Sequence, residues 1–495
     1  MTREWSKYQQ AVFADVASGQ GHTVVEAVPG SGKTTTTIEA LRYVPSGSSV
    51  WVCAFGREAA ETFKGRVPPG TRTSTFNSFG WGVVMNQLGI RKNQLNGERE
   101  WSLVDQLAAN CGGFSQEWAS SLFKAVSLSK ATLSNTFEEV DLMLDARAHG
   151  IPFKTKDPDD QRAERQRFVE HVLEVLRRCK EDLSEVSYDD QVWLPIVLGL
   201  QVPRFDRVLV DETQDLNAMQ IELALRACKD GGRIMCVGDR RQAIFAFRGA
   251  DHNAIDNIID RLGAKVLPLS ISYRCPRLVV ELAKQVVPEI EAAPSAPDGI
   301  VEDRDADDLM AELQPGDFVV SRVNAPLVKL CMRLLGKGRK AQILGRDIGG
   351  KLLGWIERAD CRTVEELRIH VDSWRKSETK RLLAKRPPQK TDMVDDMADC
   401  LLALSEGVRT IGELEAKVDK LFSDHDGKRE KIKRPSEVKD RVILASTHKA
   451  KGLEADRVWM LEDTYRKRDE LEEHNLWYVA VTRAKRELYR VTGSV

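Results

Sequence analysis

Short runs of β-branched and aliphatic residues recur along the chain, each closing on a polar or glycine-rich turn. They are His22–Ala27, Ser49–Phe55, Phe205–Asp211, Arg233–Gly238, Lys265–Leu269, Asp317–Ser321, Arg441–Ser446, Arg457–Glu462 and Glu487–Val491. Apolar residues at consecutive rather than alternate positions predict strands buried on both faces, as in a parallel sheet covered by helices. Helical patterns separate many of them, which predicts an α/β architecture in two groups, one up to about residue 265 and one beyond it. Two stretches break the alternation. Residues from about 86 to 190 read as nearly all helical, with Phe168, Val172, Val175, Leu176 and Cys179 on one helix face. Residues from about 350 to 436 are also helical and more basic, with Arg375, Lys376, Lys380, Arg381, Lys385, Arg386 and Lys390 crowded together and Lys428–Arg434 adding a second cluster. Trp51, Trp459 and Trp477 sit inside apolar patterns and are read as core.

Composition narrows the class. A chain of 495 residues is too long for one core and implies two to four domains. No apolar run reaches the roughly 18 residues of a membrane span, and the start lacks the apolar core of a secretory signal. The nine cysteines are scattered with no Cys-x-x-Cys pair, which argues against a zinc or iron–sulfur site and against a disulfide framework. A reduced, cytoplasmic protein with no membrane partner is expected. The net charge of −1 leaves a nucleic-acid partner open, because a binding channel needs only a local basic lining.

The chemistry concentrates at two strand ends. Ala27-Val28-Pro29-Gly30-Ser31-Gly32-Lys33-Thr34 follows the strand His22–Ala27 and precedes a helical run beginning at Thr35. In that strand–loop–helix context the glycines let backbone N–H groups wrap phosphates at a helix N-terminus. Lys33 would meet the β- and γ-phosphates of ATP and the Thr34 hydroxyl would meet Mg²⁺. Ala27 replaces the first glycine of the general pattern. The strand Arg207–Val210 ends in Asp211-Glu212, at the edge where open α/β sheets bind ligands. Asp211 is suited to hold Mg²⁺ and Glu212 to orient and deprotonate an attacking water. Arg248, Arg274 and Arg483 are candidates for the positive charge that phosphoryl transfer requires.

In order along the chain, further segments carry a family resemblance: Tyr8-Gln9-Gln10-Ala11-Val12-Phe13, Cys53–Ala60, Thr75-Phe76-Asn77-Ser78-Phe79-Gly80, Tyr188-Asp189-Asp190, Val237–Ala250, Leu269–Arg274, Thr447–Glu454 and Leu476–Ala484. With the phosphate loop and the Asp-Glu pair they resemble the UvrD/Rep/PcrA-like helicases of superfamily 1 along nearly the whole chain. That resemblance implies two RecA-like P-loop motor domains, each with a mainly helical insertion. The expected division is 1–85 with 191–265 (first motor domain), 86–190 (first insertion), 266–350 with 437–495 (second motor domain) and 351–436 (second insertion). It also implies that Gln9 reads adenine, that Tyr273 stacks on it, and that Glu454 holds the ribose. Ala27, Pro29, Gly30, Ser31, Gly32, Lys33, Thr34 and Thr35 cradle the phosphates. Gln242 senses the γ-phosphate, and Arg274 and Arg483 act as arginine fingers in cis. Phe55, Thr75, Asn77, Phe245, Phe247, Arg248 and His448 are the implied DNA contacts.

The expected activity is an ATP-dependent helicase moving 3′ to 5′ on single-stranded DNA, acting at single-strand/duplex junctions, with the helical insertions open to a protein partner. The alternatives are a translocase without productive unwinding and a nucleotide-switched DNA-binding module. Several positions depart from the family pattern. Phe247 stands where many members carry Trp, Ser272 where many carry Asn, Asn77 where His is commoner, and Gly56-Arg57 where Thr-Asn is usual. The second insertion is short.

Overall fold

The computed structural model describes residues 4–18, 20–147, 149–155, 157–244, 254–383, 391–422, 435, 438–465 and 470–493, with the backbone alone at 58, 346 and 347. The chain divides into two compact units. One comprises Met1–Ala27 and Gly32–Leu269, the other Val28–Ser31 and Ser270–Val495.

Strands β1 (Thr23–Ala27), β2 (Val50–Ala54), β3 (Arg72–Thr75), β4 (Phe205–Val210), β5 (Cys228–Gly238) and β6 (Lys265–Leu269) form the sheet of the first unit. Their order is β3-β2-β4-β5-β1-β6, and every pairing is parallel. In the second unit, β7 (Ile271–Ser272) and β8 (Glu291–Ala292) make a small pair. There β9 (Ile300–Arg304), β10 (Phe318–Ser321), β11 (Ala341–Leu344), β12 (Val442–Ser446), β13 (Ala455–Leu461) and β14 (Ala484–Val491) make a second parallel sheet, ordered β11-β12-β10-β13-β14-β9. The expected α/β class is therefore present, with parallel sheets covered by helices.

All nine strands expected from the apolar runs are present, and the pattern missed β3, β7, β8, β9 and β11. Three of those five, β3, β9 and β11, lie at the edges of the two six-stranded sheets, and β7 and β8 have only each other. An edge strand is covered less completely and carries polar residues, as the sequences Arg72-Thr73-Ser74-Thr75 and Ile300-Val301-Glu302-Asp303-Arg304 show. The central strands β2, β10 and β12 are buried at every position, which is why they read as continuous apolar runs.

Residues between β3 and β4 are helical, in helices Phe76–Leu88, Arg99–Asn110, Gln116–Thr132, Phe137–Ala146, Pro158–Glu181 and Asp190–Val197. The longest of these starts well: Asp157 accepts from the Asp159 and Asp160 N–H groups and Pro158 takes the first turn. Its face of Phe168, Val172, Val175, Leu176 and Cys179 is buried as expected. The segment between β11 and β12 holds helices Arg346–Ala359, Val364–Leu383, Asp392–Ser405 and Ile411–Phe422. Among the described residues, no helix is long and apolar enough to cross a membrane, and the nine cysteines are all free.

Aromatic stacking anchors both cores. Trp51 stacks on Phe79 with ring centroids 4.0 Å apart, and Trp459 stacks on Tyr489 at 4.3 Å. Trp51, Trp459 and Trp477 are all buried, as expected. Helix Phe76–Leu88, which carries Phe79, crosses helix Asp190–Val197 at Gly80, where a Cβ would run into the Gln191 carbonyl. Gly80→Ala is expected to cost about 1–3 kcal/mol through overpacking. Gly350→Ala is the control, because that helical glycine has open space where a Cβ would sit, and the change is expected to stabilise by about 0.5–1 kcal/mol. Urea midpoints of the two variants test the pair.

Candidate nucleotide and nucleic-acid sites

Because β5 lies between β4 and β1, the loops after these three strands open at one end of the sheet. The loop after β1 needs glycines: Gly30 and Gly32 have φ of 73° and 80°, a region costly for any residue with a Cβ. Gly32 leads into helix Lys33–Ala40, so Lys33, Thr34 and Thr35 occupy its first turn. Those first N–H groups lack partners within the helix and face any anion placed before it. Ala27 closes β1 and is buried.

Asp211 begins where β4 ends, its N–H bonded to the Cys53 carbonyl at 3.0 Å. It is 4% exposed. Burial, then the neighbouring Glu212, pushes its carboxyl up to about 7 against the pull of Lys33. Its Oδ1 is buried without a hydrogen-bond partner, as is Ser31 Oγ. Glu212 adopts φ 52°, a left-handed conformation rare outside glycine and characteristic of functional sites. That turn sets its carboxylate 3.6 Å from Lys33 Nζ, with Gln214 Nε2 donating to the other oxygen at 2.6 Å.

Gln214 joins the β4 loop to the β5 loop, since its Oε1 also accepts the Asp239 N–H at 3.0 Å. Asp239 in turn accepts from Gln242 Nε2 at 2.8 Å and from the Arg241 N–H at 3.0 Å. Burial raises the Asp239 pKa, opposed by Lys33. The structure thus brings Lys33, Asp211, Glu212 and Gln242 into one network. Gln214 and Asp239 complete it; Asp239 lies inside the Val237–Ala250 segment and Gln214 two positions beyond Glu212, but their roles depend on the adjacency of β4 and β5. Gln9 is buried beside the loop, donating to Thr36 Oγ1 at 2.9 Å and lying 3.7 Å from where a Cβ on Gly32 would sit.

The second unit holds Val28–Ser31. Ser272 Oγ donates to the Pro29 carbonyl at 2.7 Å and the Tyr273 N–H to the Gly30 carbonyl at 2.9 Å. The Tyr273 side chain is half exposed. Arg274 donates to Glu454 at 2.6 Å, so two residues expected to meet the nucleotide meet each other. Arg483 is buried, donating to the Val479 carbonyl at 2.8 Å, the Leu453 carbonyl at 3.1 Å and Thr482 Oγ1 at 3.2 Å. His448 lies in the short helix Thr447–Ala450 that follows β12.

A groove of about 750 Å³ in the first unit is lined by Phe55, Arg57, Lys64, Thr75, Asn77, Trp81, Lys92 and Tyr188 among others. Three of the expected DNA contacts, Phe55, Thr75 and Asn77, converge there. Thr75 caps helix Phe76–Leu88 through its Oγ1, and Asn77 Nδ2 donates to the Tyr188 carbonyl at 2.8 Å. Trp81, Tyr188 and the three cations were not singled out for this role by the sequence. Phe245, Phe247 and Arg248 lie outside the described residues.

The Asp211 carboxyl sets a pH dependence. Below the ordinary carboxylate pKa near 4, folded and unfolded chains both hold this proton. Between there and about 7 only the folded chain does, so its contribution to stability falls as pH rises through that window. With metal and nucleotide omitted, Asp211→Asn is expected to raise the stability at pH 8 by on the order of 1–3 kcal/mol and to leave it unchanged at pH 4. Urea unfolding at the two pH values checks this; equal shifts at both would contradict it.

Comparison with known proteins places these features. Residues 7–262 match the UvrD/REP helicase N-terminal domain, and residues 442–491 match the UvrD-like helicase C-terminal domain. The F-box DNA helicase protein 1 of Schizosaccharomyces pombe is 25% identical over 516 residues, covering 94% of this chain and 55% of that protein. The ATP-dependent DNA helicase PcrA of Staphylococcus epidermidis is 26% identical over 300 residues, covering 55% of this chain and 38% of its own. DNA helicase II of Escherichia coli is 33% identical over 100 residues, covering 20% of this chain and 14% of its own. The chain spans at most 55% of the length of these relatives.

Proposed function

The chain belongs to the UvrD/REP helicase family, and from that premise we propose that it is an ATP-dependent DNA helicase that tracks 3′ to 5′ along single-stranded DNA. The observation that carries the ATPase part is the joining of Lys33, Asp211, Glu212, Gln214, Asp239 and Gln242 at the ends of three adjoining parallel strands. Lys33 and the first turn of helix Lys33–Ala40 hold the phosphates. Glu212, fixed between Lys33 and Gln214, orients the attacking water and takes its proton. Gln242, held by Asp239, registers the γ-phosphate.

The Thr34 hydroxyl and the Asp211 carboxylate, whose Oδ1 is buried without a hydrogen-bond partner, are the hard oxygen donors that suit Mg²⁺. When bound, the ion offsets charge on the phosphates. Gln9 reads adenine and Tyr273 stacks on it. Glu454 takes the ribose, and by leaving Arg274 it frees that guanidinium to act on phosphate charge. Arg483 serves likewise once it exchanges its carbonyl partners for phosphate oxygens.

The groove of Phe55, Trp81 and Tyr188, edged by Arg57, Lys64 and Lys92, has the character of a single-strand track. Aromatic faces stack on bases of any sequence at about 1–3 kcal/mol each, and cations follow the backbone. Thr75 and Asn77 shape that track, and on family relationship alone Phe245, Phe247, Arg248 and His448 are proposed as further DNA contacts. The helical segments 86–190 and 351–436 are proposed as the two insertions, able to take up a junction or a protein partner. The 3′-to-5′ direction rests on family relationship.

Lys33→Ala is expected to lower DNA-stimulated ATP turnover by about 10²-fold or more, since it removes the positive charge that would face the transferring phosphoryl group. A turnover near the normal rate would remove the site assignment. Unwinding of a duplex with a 3′ tail, and none with a 5′ tail, is expected. Turnover stimulated by single strands without displacement on either substrate would instead support a translocase.

A further inference from the structure

Tyr188 is 56% exposed, which is unusual for a large aromatic ring, yet its backbone is tied on every side. Behind it, the Asp190 carboxylate accepts the Ser187 N–H at 2.9 Å, Arg99 Nη1 at 2.6 Å and Lys130 Nζ at 2.7 Å. Lys130 also pairs with Glu100. Arg99, Glu100, Lys130 and Asp190 are all buried, two cations against two carboxylates. Breaking such a pair leaves a buried charge uncompensated, so the set has one low-energy arrangement. Asp189 Oδ2 accepts from Ser127 Oγ at 2.9 Å. Beneath the ring lies Gly97, where a Cβ would sit 3.1 Å from Tyr188 Cε2. The last tie is the hydrogen bond from Asn77 Nδ2 to the Tyr188 carbonyl, which spans 111 positions of sequence.

We propose that Asn77 is a positioning residue that acts on a bound single strand through Tyr188, locking the Ser187–Asp190 turn so that the Tyr188 ring stands preset at the rim of the groove. This rests on the groove being the single-strand track. Asn77 was expected from the sequence to meet DNA itself. Its amide instead spends a donor on a main-chain carbonyl, so its effect on DNA passes through the ring that this carbonyl carries. The geometry explains why a short amide serves at this position: it stands on the first turn of helix Phe76–Leu88, within direct reach of the turn. A ring held in place before binding loses less freedom when a base stacks on it, which favours affinity without a new contact.

A double-mutant cycle separates action through Tyr188 from direct contact. The full chain and its Asn77→Ala, Tyr188→Ala and doubly substituted variants are titrated with a fluorescent oligothymidylate at fixed salt. Tyr188→Ala is expected to weaken binding roughly tenfold, as for a lost stacking partner. Asn77→Ala is expected to weaken it by about three- to tenfold, as for a lost hydrogen bond. In the Tyr188→Ala background, Asn77→Ala is expected to add less than about twofold. The same Asn77→Ala loss in both backgrounds means direct contact and overturns the positioning role alone, as does the absence of any loss with Asn77→Ala. Unchanged binding by Tyr188→Ala overturns the groove reading together with this one.

Discussion

Everything at the candidate ATP site depends on one electrostatic constraint: Lys33 faces the carboxylates of Asp211, Glu212 and Asp239 at the end of a parallel sheet. Lys33 contacts Glu212 directly and pulls on the two buried carboxyls, both of which burial pushes toward their neutral forms. A site with more acids than bases, and with the orphaned Asp211 Oδ1 among them, is made for additional positive charge. In the proposed function that charge comes with the nucleotide as Mg²⁺. The strand order β4-β5-β1 is what permits the crowding, since it places three loops from distant sequence side by side. The φ of 52° at Glu212 is the local strain that turns its carboxylate toward the lysine.

The same logic of fixed charges recurs in the helical part of the first unit, with a different outcome. There the Arg99, Glu100, Lys130 and Asp190 side chains pair with one another and are buried. Acidic and basic groups in equal number, buried and hydrogen-bonded, make a rigid support rather than a reactive centre. The support ends at Tyr188, on the groove that also gathers Phe55, Asn77 and Trp81. One cluster is left short of positive charge and invites a ligand; the other is complete and presents a ring.

Much of this was legible in the chain itself. Central strands read clearly because burial on both faces makes every position apolar, whereas β3, β9 and β11 stayed hidden because edges tolerate polar residues. The glycines of the phosphate loop and the Asp211-Glu212 pair read clearly because their chemistry is local, residues a few positions apart serving one loop. Gln214 and Asp239 did not read as partners, since only the neighbouring placement of β4 and β5 brings them together. Nor did the meeting of Arg274 with Glu454, 180 positions apart, or of Arg99 with Asp190, 91 apart. Asn77 lines one groove with Phe55 and Thr75, but its bond to the Tyr188 carbonyl depends on the helical segment folding back onto Phe76–Leu88. Motifs report which residues share a chemistry; tertiary contacts decide which of them touch.

In the proposed function Glu212 activates water while Lys33 and the loop hold ATP. The most direct measurement is ATP binding and steady-state turnover, with single-stranded DNA present, in Glu212→Gln beside the parent chain. Glutamine keeps the shape and the reach toward Gln214 but cannot take a proton. Nucleotide affinity is predicted to stay within a few-fold while turnover falls by about 10²–10⁴. Turnover close to that of the parent, with binding intact, would contradict a role for Glu212 as the base.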